Sequence, residues 1–368
     1  MMEERRRPVT AAPVNCRGYP VSELCRRHSF EEVAYLLWHG ELPTRDQLFA
    51  QHRLERAQRA LDPGVAAALA AQPLSTQPVD ALRKAISALG ARAPADHGPL
   101  PAAVHAQALR LFAVLPSLVA FEQRRRRGLS LVAPRADLGY AANLLYMTFG
   151  KVPEPQVVAA FERSLILYAG DGFSAPAPFS TPTTFIASAL AARAGASRLS
   201  VLYSAVAAAV GALKGSAQGS AMEAVMEMMN EGVVPGDVRS RAEAALAAGR
   251  GIPGFCPDVS SGGDARVPAM RSVLGMIASL RGGQQLIETY EALAAAVHEA
   301  TGLRPSLDYP TAPAYHLIGF DARMFTPVLA AARLPGWTAE LAGQLTAGVT
   351  RPRAAGDGQA ARRPAGER

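Results

Sequence analysis

The sequence predicts an all-α protein, and three observations support that prediction. Apolar residues recur at helical spacing, whereas the strict alternation that marks a half-buried strand is scarce. Good helix formers such as Ala, Leu, Arg, Glu and Met are abundant. Proline and glycine then divide the chain into intervals that suit helices of about ten to twenty residues.

The clearest amphipathic stretches predict helices over 30–38, 79–89, 138–149 and 325–332. Breaks between helices are predicted at Pro43, Pro63-Gly64, 150–153, Pro235-Gly236, 251–254, Pro305, Pro310 and Pro335-Gly336. Two longer stretches, 169–184 and 250–266, interrupt the helical rhythm with Gly, Pro, Ser and Asp. Ligand-binding groups often lie on such loops, although ordinary connections between helices are an equal alternative.

Composition excludes several classes of protein. With 368 residues, 49% of them hydrophobic and 19% charged, the chain can bury a large core and is not a disordered protein. The net charge of +7 comes partly from arginine runs at 5–7 and 124–127 and from the arginines near the end of the chain. We expect these runs to be solvated surface or mobile ends, and no groove-reading motif accompanies them. We therefore consider nucleic-acid binding the weakest of three possible functions.

The three cysteines, Cys16, Cys25 and Cys256, form no CxxC pair and have no matching histidine spacing. This pattern predicts neither a disulfide framework nor a zinc site, and it suits a reducing cytoplasm. The N-terminus lacks the apolar stretch of a secretory signal, and the longest apolar run, near 201–213, is too short to span a bilayer. We therefore expect a cytoplasmic protein without a membrane segment.

Ordered motifs cover nearly the whole chain. They are Arg-Gly-Tyr-Pro-Val-Ser-Glu-Leu at 17–24, the run 29–44 with Trp-His-Gly-Glu-Leu-Pro-Thr, 82–90, 137–147, Glu-Ala-Val-Met at 223–226, Pro-Ser-Leu-Asp at 305–308, 325–339 with Arg-Leu-Pro-Gly-Trp, and Arg-Pro-Arg at 351–353. Together they resemble the bacterial citrate and 2-methylcitrate synthases. The resemblance implies an all-α fold in which a small helical domain closes over a large one.

The resemblance also implies domain boundaries and a quaternary state. The large domain would comprise 1–218 and 321–355, the small domain would be inserted at 219–320, and 356–368 would form a flexible basic tail. The family is dimeric, and the arginine of its closing Arg-Pro motif reaches into the partner's site. We therefore expect a homodimer, or a heterodimer with a citrate synthase homologue.

Family chemistry joins the methyl carbon of an acyl-CoA to the carbonyl of an oxoacid. It uses a carboxylate as base and two histidines that stabilise the enol and protonate the carbonyl. Asp308 aligns with the base, and a helix N-cap is its alternative role. Three arginines align with those that hold the oxoacid carboxylates in bidentate geometry, although a surface location is the usual alternative for any arginine. They are Arg266, Arg333 and Arg351.

The family's histidines, however, are replaced in this chain. Gln218 stands where the enol-stabilising histidine belongs; its amide can donate a hydrogen bond but cannot change protonation state. Pro257 replaces the second histidine and offers no donor. The resemblance implies a third histidine, and Asp171 or Gly172 falls at its place. Ser261 lies where the family carries a basic residue for the CoA phosphates. We therefore expect no ordinary citrate synthase activity.

Two functions are compatible with this combination. The first is a divergent acyltransferase of the citrate synthase type with altered chemistry, in which Asp308 is the base, Gln218 a neutral donor and acyl-CoA a co-substrate. Neither a metal nor a further cofactor is expected. The alternative is a non-catalytic paralogue that binds a di- or tricarboxylate, or that lends Arg351 to an active homologue in a heterodimer.

Overall fold

The prediction of an all-α fold is confirmed by the computed structural model. The structure describes residues 14–93, 100–170, 198–214, 221–231, 235–256 and 264–347. The helices are α1 (Val21–Arg27), α2 (Phe30–His39), α3 (Arg45–Arg56), α4 (Pro63–Ala70), α5 (Pro78–Ala91), α6 (Leu100–Arg126), α7 (Tyr140–Phe149), α8 (Pro155–Tyr168), α9 (Arg198–Leu213), α10 (Ala221–Asn230), α11 (Pro235–Ala247), α12 (Val267–Arg281), α13 (Gln284–Thr301), α14 (Asp308–Ile318) and α15 (Phe325–Ala347).

Strands within these ranges form two short antiparallel pairs. β1 (Asn15–Cys16) and β2 (Tyr19–Pro20) form a hairpin at the start of the described chain. β3 (Phe255–Cys256) and β4 (Arg304–Pro305) join two segments that are distant in sequence, with Cys256 opposite Arg304. The second pair matters for function because it leads directly into α14.

Local sequence signals account for where several helices begin and end. The side chain of Ser29 and that of Glu32 form a capping box at the start of α2, and Gly40 ends this helix in the left-handed conformation at φ 84°. The predicted helix over 138–149 begins two residues later, at Tyr140, whose backbone N–H donates to the carboxylate of Glu31 at 2.6 Å. Such a carboxylate at a helix N-terminus satisfies an otherwise unpaired donor.

The predicted end of the last helix is wrong. Pro335-Gly336 was expected to break the chain, but α15 continues through both residues to Ala347. Proline removes one backbone donor from a helix interior, so packing against other helices has to offset that loss. Here Leu334 and Trp337 on either side are buried, and α15 packs against α2, α6, α8 and α9.

α6 forms the centre of the hydrophobic core, in contact with α7, α15 and α5. Its segment Pro101–Arg126 is long and apolar enough to cross a membrane, with a mean hydropathy of 1.5 in its most apolar window. This segment is longer than the apolar run at 201–213, so the prediction that the latter is the longest is wrong. However, 78% of that window is buried inside the protein. This pattern is typical of a core helix, since a core and a bilayer select the same side chains.

Of the arginine run at 124–127, only Arg127 is exposed, and the other three are not the solvated surface that their composition suggested. Arg124 is only 8% exposed and donates to the backbone carbonyls of Ser130 and Thr148. Arg125 and Arg126 both bind the buried carboxylate of Glu122. The run therefore fastens the end of α6 to neighbouring loops, which leaves less free charge for a nucleic acid.

Helices in the part of the chain assigned to a small domain pack extensively with one another. Contacts join α10 to α14, α11 to α13, and α12 to both α13 and α14. α12 also packs against α8, which lies in the part assigned to the large domain. The division at 219–320 is compatible with these contacts and stays a prediction.

Candidate active site

Asp308 is held in place by the strand pair that precedes its helix. The N–H of Ser306 donates to the carbonyl of Gly254 at 2.8 Å, which fixes the segment between β4 and α14. Gly254 has φ 77°, and a Cβ added there would lie 2.6 Å from Cγ2 of Val225. Only glycine accommodates both that conformation and that close approach. The loop can therefore present Asp308 at the first position of α14.

The carboxyl group of Asp308 is buried, with 7% of the residue exposed. Its Oδ1 accepts a hydrogen bond of 2.7 Å from the hydroxyl of Tyr168. The N-cap position of α14 belongs to Leu307, so the alternative role of Asp308 as a helix cap is not what the structure shows. Its side chain instead crosses to the end of α8.

Burial raises the pKa of Asp308 above its usual value, because a desolvated carboxylate is disfavoured. The hydrogen bond from Tyr168 and the positive charges of Arg333 and Arg266 act in the opposite direction. Asp264 adds a smaller effect that raises the pKa further. A carboxylate with a raised pKa is a stronger base, which suits it to accept a proton from a substrate.

Arg333 approaches this site from α15. The residue is 6% exposed, and its guanidinium carbon lies 6.0 Å from the ring centroid of Tyr168. This is the outer limit of a cation–π contact. The positive charge lowers the pKa of Asp308, so the two groups share one buried environment.

Arg266, immediately before α12, is already engaged by the chain itself. Its Nε donates to Oδ1 of Asp264 at 3.0 Å and its Nη2 donates to Oδ2 at 2.8 Å. Nη1 donates to the carbonyl of Leu167 at 3.3 Å. The side of the guanidinium that would grip a carboxylate in a fork is thus occupied by Asp264. A ligand would have to displace Asp264 or bind the guanidinium end-on.

The last turn of α8 connects these residues. The carbonyl of Leu167 accepts from Arg266, the hydroxyl of Tyr168 donates to Asp308, and the carbonyl of Ala169 lies against Gly336. Sequence reasoning missed Tyr168, although it directly precedes the loop at 169–184 that was selected as a candidate ligand loop. Its place next to that loop was the one feature of the sequence that could have indicated a role for Tyr168.

The remaining predicted site residues lie outside the described part of the chain: Gln218, Pro257, Asp171, Gly172, Ser261 and Arg351. The described residues beside them show only where the chain enters and leaves the segments that the structure does not describe. Cys256 pairs with Arg304, four residues before Asp308, and Met222 in the first turn of α10 is fully buried. The structure therefore brings together Asp308, Arg266 and Arg333, while the role of each stays a prediction.

Within the described ranges, no group of three or more His, Cys, Asp or Glu side chains is arranged to hold a metal ion. The three cysteines are free thiols, and burial raises the pKa of both Cys16 and Cys25 to about 12. Neither thiol is therefore activated as a nucleophile near neutral pH.

Comparison with known proteins agrees with this architecture. Residues 9–353 match the family model described as citrate synthase, C-terminal domain. The chain belongs to the citrate synthase family. Family members condense an acyl-CoA with oxaloacetate, and Asp308, Arg266 and Arg333 all lie within the matched residues.

Individual family members are similar over most of their length. The chain is 46% identical to a 2-methylcitrate synthase of Mycobacterium tuberculosis over 90% of this chain and 81% of the relative. It is 44% identical to a citrate synthase of Mycolicibacterium smegmatis over 88% of this chain and 83% of the relative.

Solved citrate synthase structures share the fold. The crystal structure of citrate synthase from Pyrobaculum aerophilum matches with a TM-score of 0.78 and 30% identity, covering 94% of this chain and 86% of that one. A ternary complex of citrate synthase from Thermoplasma acidophilum with carboxymethyl coenzyme A and oxaloacetate matches with a TM-score of 0.79, covering 99% and 96%. At 21% identity, the second likeness concerns the fold alone.

Proposed function

We propose that this protein is a divergent citrate synthase homologue that binds a di- or tricarboxylate and uses Asp308 to move a proton on a bound substrate, without ordinary citrate synthase turnover. One observation carries the proposal: a buried carboxyl group with a raised pKa shares its environment with the positive charges of Arg333 and Arg266. Burying such a set costs free energy, because each ion loses its hydration. A bound anion would offset that cost at the arginines.

The identity of the ligand is inferred from the relatives. The Mycobacterium tuberculosis relative is named for 2-methylcitrate, and the Mycolicibacterium smegmatis relative is named for citrate. Arg333 is the stronger candidate for a carboxylate contact here, because its charge acts on Asp308 more strongly than that of Arg266, whose bidentate face binds Asp264. We therefore expect oxaloacetate, citrate or 2-methylcitrate to bind with Arg333 as the principal anchor.

The loss of ordinary turnover is inferred from the sequence. Gln218 and Pro257 replace the two histidines on which the family reaction depends. Removing one such donor typically costs about 10²–10³-fold in rate, so the loss of two lowers turnover by roughly four orders of magnitude or more. Removal of a carbon-bound proton by Asp308 does not itself require those groups, although the resulting enolate would be less stabilised.

Ligand binding is the first test. Oxaloacetate, citrate and 2-methylcitrate are each added to the purified protein, and the melting temperature is compared with that of the ligand-free protein. We expect an increase that Arg333→Ala removes. Arg271→Ala serves as the matched control, because this half-buried arginine pairs with Glu291 on α13. If no carboxylate raises the melting temperature, the anion-binding proposal is wrong.

Turnover is the second test. Thiol release from acetyl-CoA or propionyl-CoA with oxaloacetate should stay far below the rate of an active family member assayed beside it. Rapid release that Asp308→Asn abolishes would contradict the proposed loss of activity. Restoring histidine at both positions, as Gln218→His with Pro257→His, should increase the rate if those replacements are its cause.

Proton exchange separates the divergent enzyme from its non-catalytic alternative. In D₂O, an active Asp308 should replace the α-protons of propionyl-CoA with deuterium, as followed by proton NMR, and Asp308→Asn should stop the exchange. Carboxylate binding without exchange would instead favour a non-catalytic paralogue. Mixing with an active homologue, followed by native mass spectrometry, would then test the heterodimer to which Arg351 was assigned.

A further inference from the structure

A continuous chain of polar groups runs from Asp308 into the first turn of α14. Oδ1 of Asp308 lies 2.7 Å from the hydroxyl oxygen of Tyr168, and that oxygen lies 3.0 Å from Oγ1 of Thr311. Oγ1 of Thr311 lies 2.7 Å from the carbonyl oxygen of Leu307. Tyr168 is 2% exposed and Thr311 is not exposed, so both residues are shielded from bulk solvent.

The number of protons in this chain can be counted for each state of Asp308. Each hydroxyl group has one proton to donate and can also accept. When Asp308 is ionised, Tyr168 donates to its Oδ1 and Thr311 donates to the carbonyl of Leu307. When Oδ1 of Asp308 is protonated, it can donate to Tyr168, which then turns its own proton to Oγ1 of Thr311. Thr311 continues to donate to Leu307, so every donor has an acceptor in both states.

We propose that Tyr168 and Thr311 form a reversible hydrogen-bond relay that satisfies Asp308 both as a carboxylate and as a carboxylic acid. Rotation of one hydroxyl proton, on Tyr168, changes the relay from one state to the other, and no heavy atom has to move. This matters because a base that accepts a proton from carbon passes through both forms in each cycle. The inference thus rests on the proposed role of Asp308 as a base, and Tyr168 and Thr311 are positioning residues.

Other charged and titratable groups around Asp308 favour one state each. Arg333 on α15 and Arg266 before α12 favour the carboxylate, whereas burial and Asp264 favour the acid. Tyr315, on α14 itself, has its hydroxyl hydrogen-bonded to Ser164. The relay differs from all of these because it carries no net charge and has a hydrogen-bond arrangement for either form of Asp308.

The two positions should have opposite effects on Asp308. Tyr168→Phe removes the donor to the carboxylate, and a hydrogen bond to a charged group is stronger than one to a neutral group, so the acid form gains. Thr311→Val leaves that donor intact but removes the acceptor that Tyr168 needs when Asp308 is protonated, so the carboxylate gains. Thr311→Ser keeps the hydroxyl group and should restore the wild-type behaviour.

The test is an NMR titration of the full chain with ¹³C-labelled aspartate, in which Asp308→Asn identifies the Asp308 signal. We expect the titration midpoint to rise by about one pH unit or more in Tyr168→Phe and to fall in Thr311→Val. Thr311→Ser should match the wild type. Tyr203→Phe is the control, because it also removes a buried hydroxyl group, one bound to Gln107 at 2.7 Å and away from Asp308.

Shifts in the same direction for Tyr168→Phe and Thr311→Val, or no shift in either, would overturn the relay. If Tyr168→Phe does not fold, the contrast between Thr311→Val and Thr311→Ser decides alone: a fall in the first without a fall in the second supports the relay, and any other result contradicts it. The titration needs no ligand and no turnover. Failure of the binding test with the expected shifts would therefore refute the proposed function and leave the relay standing.

Discussion

Gly336 should be indispensable for the contact between α15 and the last turn of α8. A Cβ added at this position would collide with the carbonyl oxygen of Ala169 and lie 3.3 Å from the Cα of Gly170. Both obstacles are backbone atoms, which cannot move aside by changing a rotamer. The substitution Gly336→Ala therefore has to separate the two helices or distort the turn that carries Tyr168.

The size of the effect follows from two opposing contributions. Replacing glycine by alanine inside a helix stabilises it by about 1 kcal/mol, because the unfolded chain loses conformational freedom. Overpacking a buried contact costs about 1–3 kcal/mol, and a collision with backbone belongs at the upper end of that range. We expect Gly336→Ala to lower the free energy of unfolding by about 1–2 kcal/mol.

Gly343, in the same helix, provides a matched control. A Cβ added there meets no atom within 4 Å, so Gly343→Ala should stabilise the protein by the helix term alone. The assay is urea denaturation of both variants, followed by the thermal shift with oxaloacetate. Gly336→Ala should reduce stability and weaken the ligand response, because Tyr168 and Leu167 move with the turn. Equal stabilisation by both substitutions would refute the proposed close contact.

Other substitutions test buried charge. Burial raises the pKa of Glu162 to about 7, and repulsion from Glu31 adds to this effect. The unfolded chain ionises at lower pH than the folded one, so stability falls as pH rises from about 4.5 to about 7. Glu162→Gln should therefore raise the free energy of unfolding by up to about 3 kcal/mol at about pH 8. Below about pH 4.5 it should give no stabilisation, and urea denaturation at both pH values measures the difference. Arg59→Met should lower the free energy of unfolding by about 3–5 kcal/mol in the same assay, because it leaves the carboxylate of Glu55 buried without its partner. Its control is Arg27→Ala at the exposed pair with Glu23, which should cost less than about 1 kcal/mol. Arg124→Met should likewise destabilise, because it strands the carbonyls of Ser130 and Thr148; an unchanged unfolding midpoint would show that Arg124 is dispensable.

Much of the fold could be predicted from the sequence because helical signals are local. The helix predicted over 30–38 is observed at Phe30–His39, and that over 79–89 at Pro78–Ala91. Apolar spacing of three and four residues and a capping serine lie within one or two turns of each other. The end of α15 was missed because the packing of Leu334 and Trp337 is not visible in the local sequence around Pro335.

For the candidate site too, the sequence determined some features and the tertiary structure decided others. The sequence by itself determined the helical class and the family, and it predicted the site residues, among them Asp308, the three arginines, Gln218 and Pro257. Only the tertiary structure decided that Asp264 binds the bidentate face of Arg266 and that Tyr168 donates a hydrogen bond to Asp308, across 140 residues of chain. A hydrogen bond over that separation follows no sequence period, since it exists only where the packing of α8 against α12 and α15 brings the last turn of α8 to the first turn of α14.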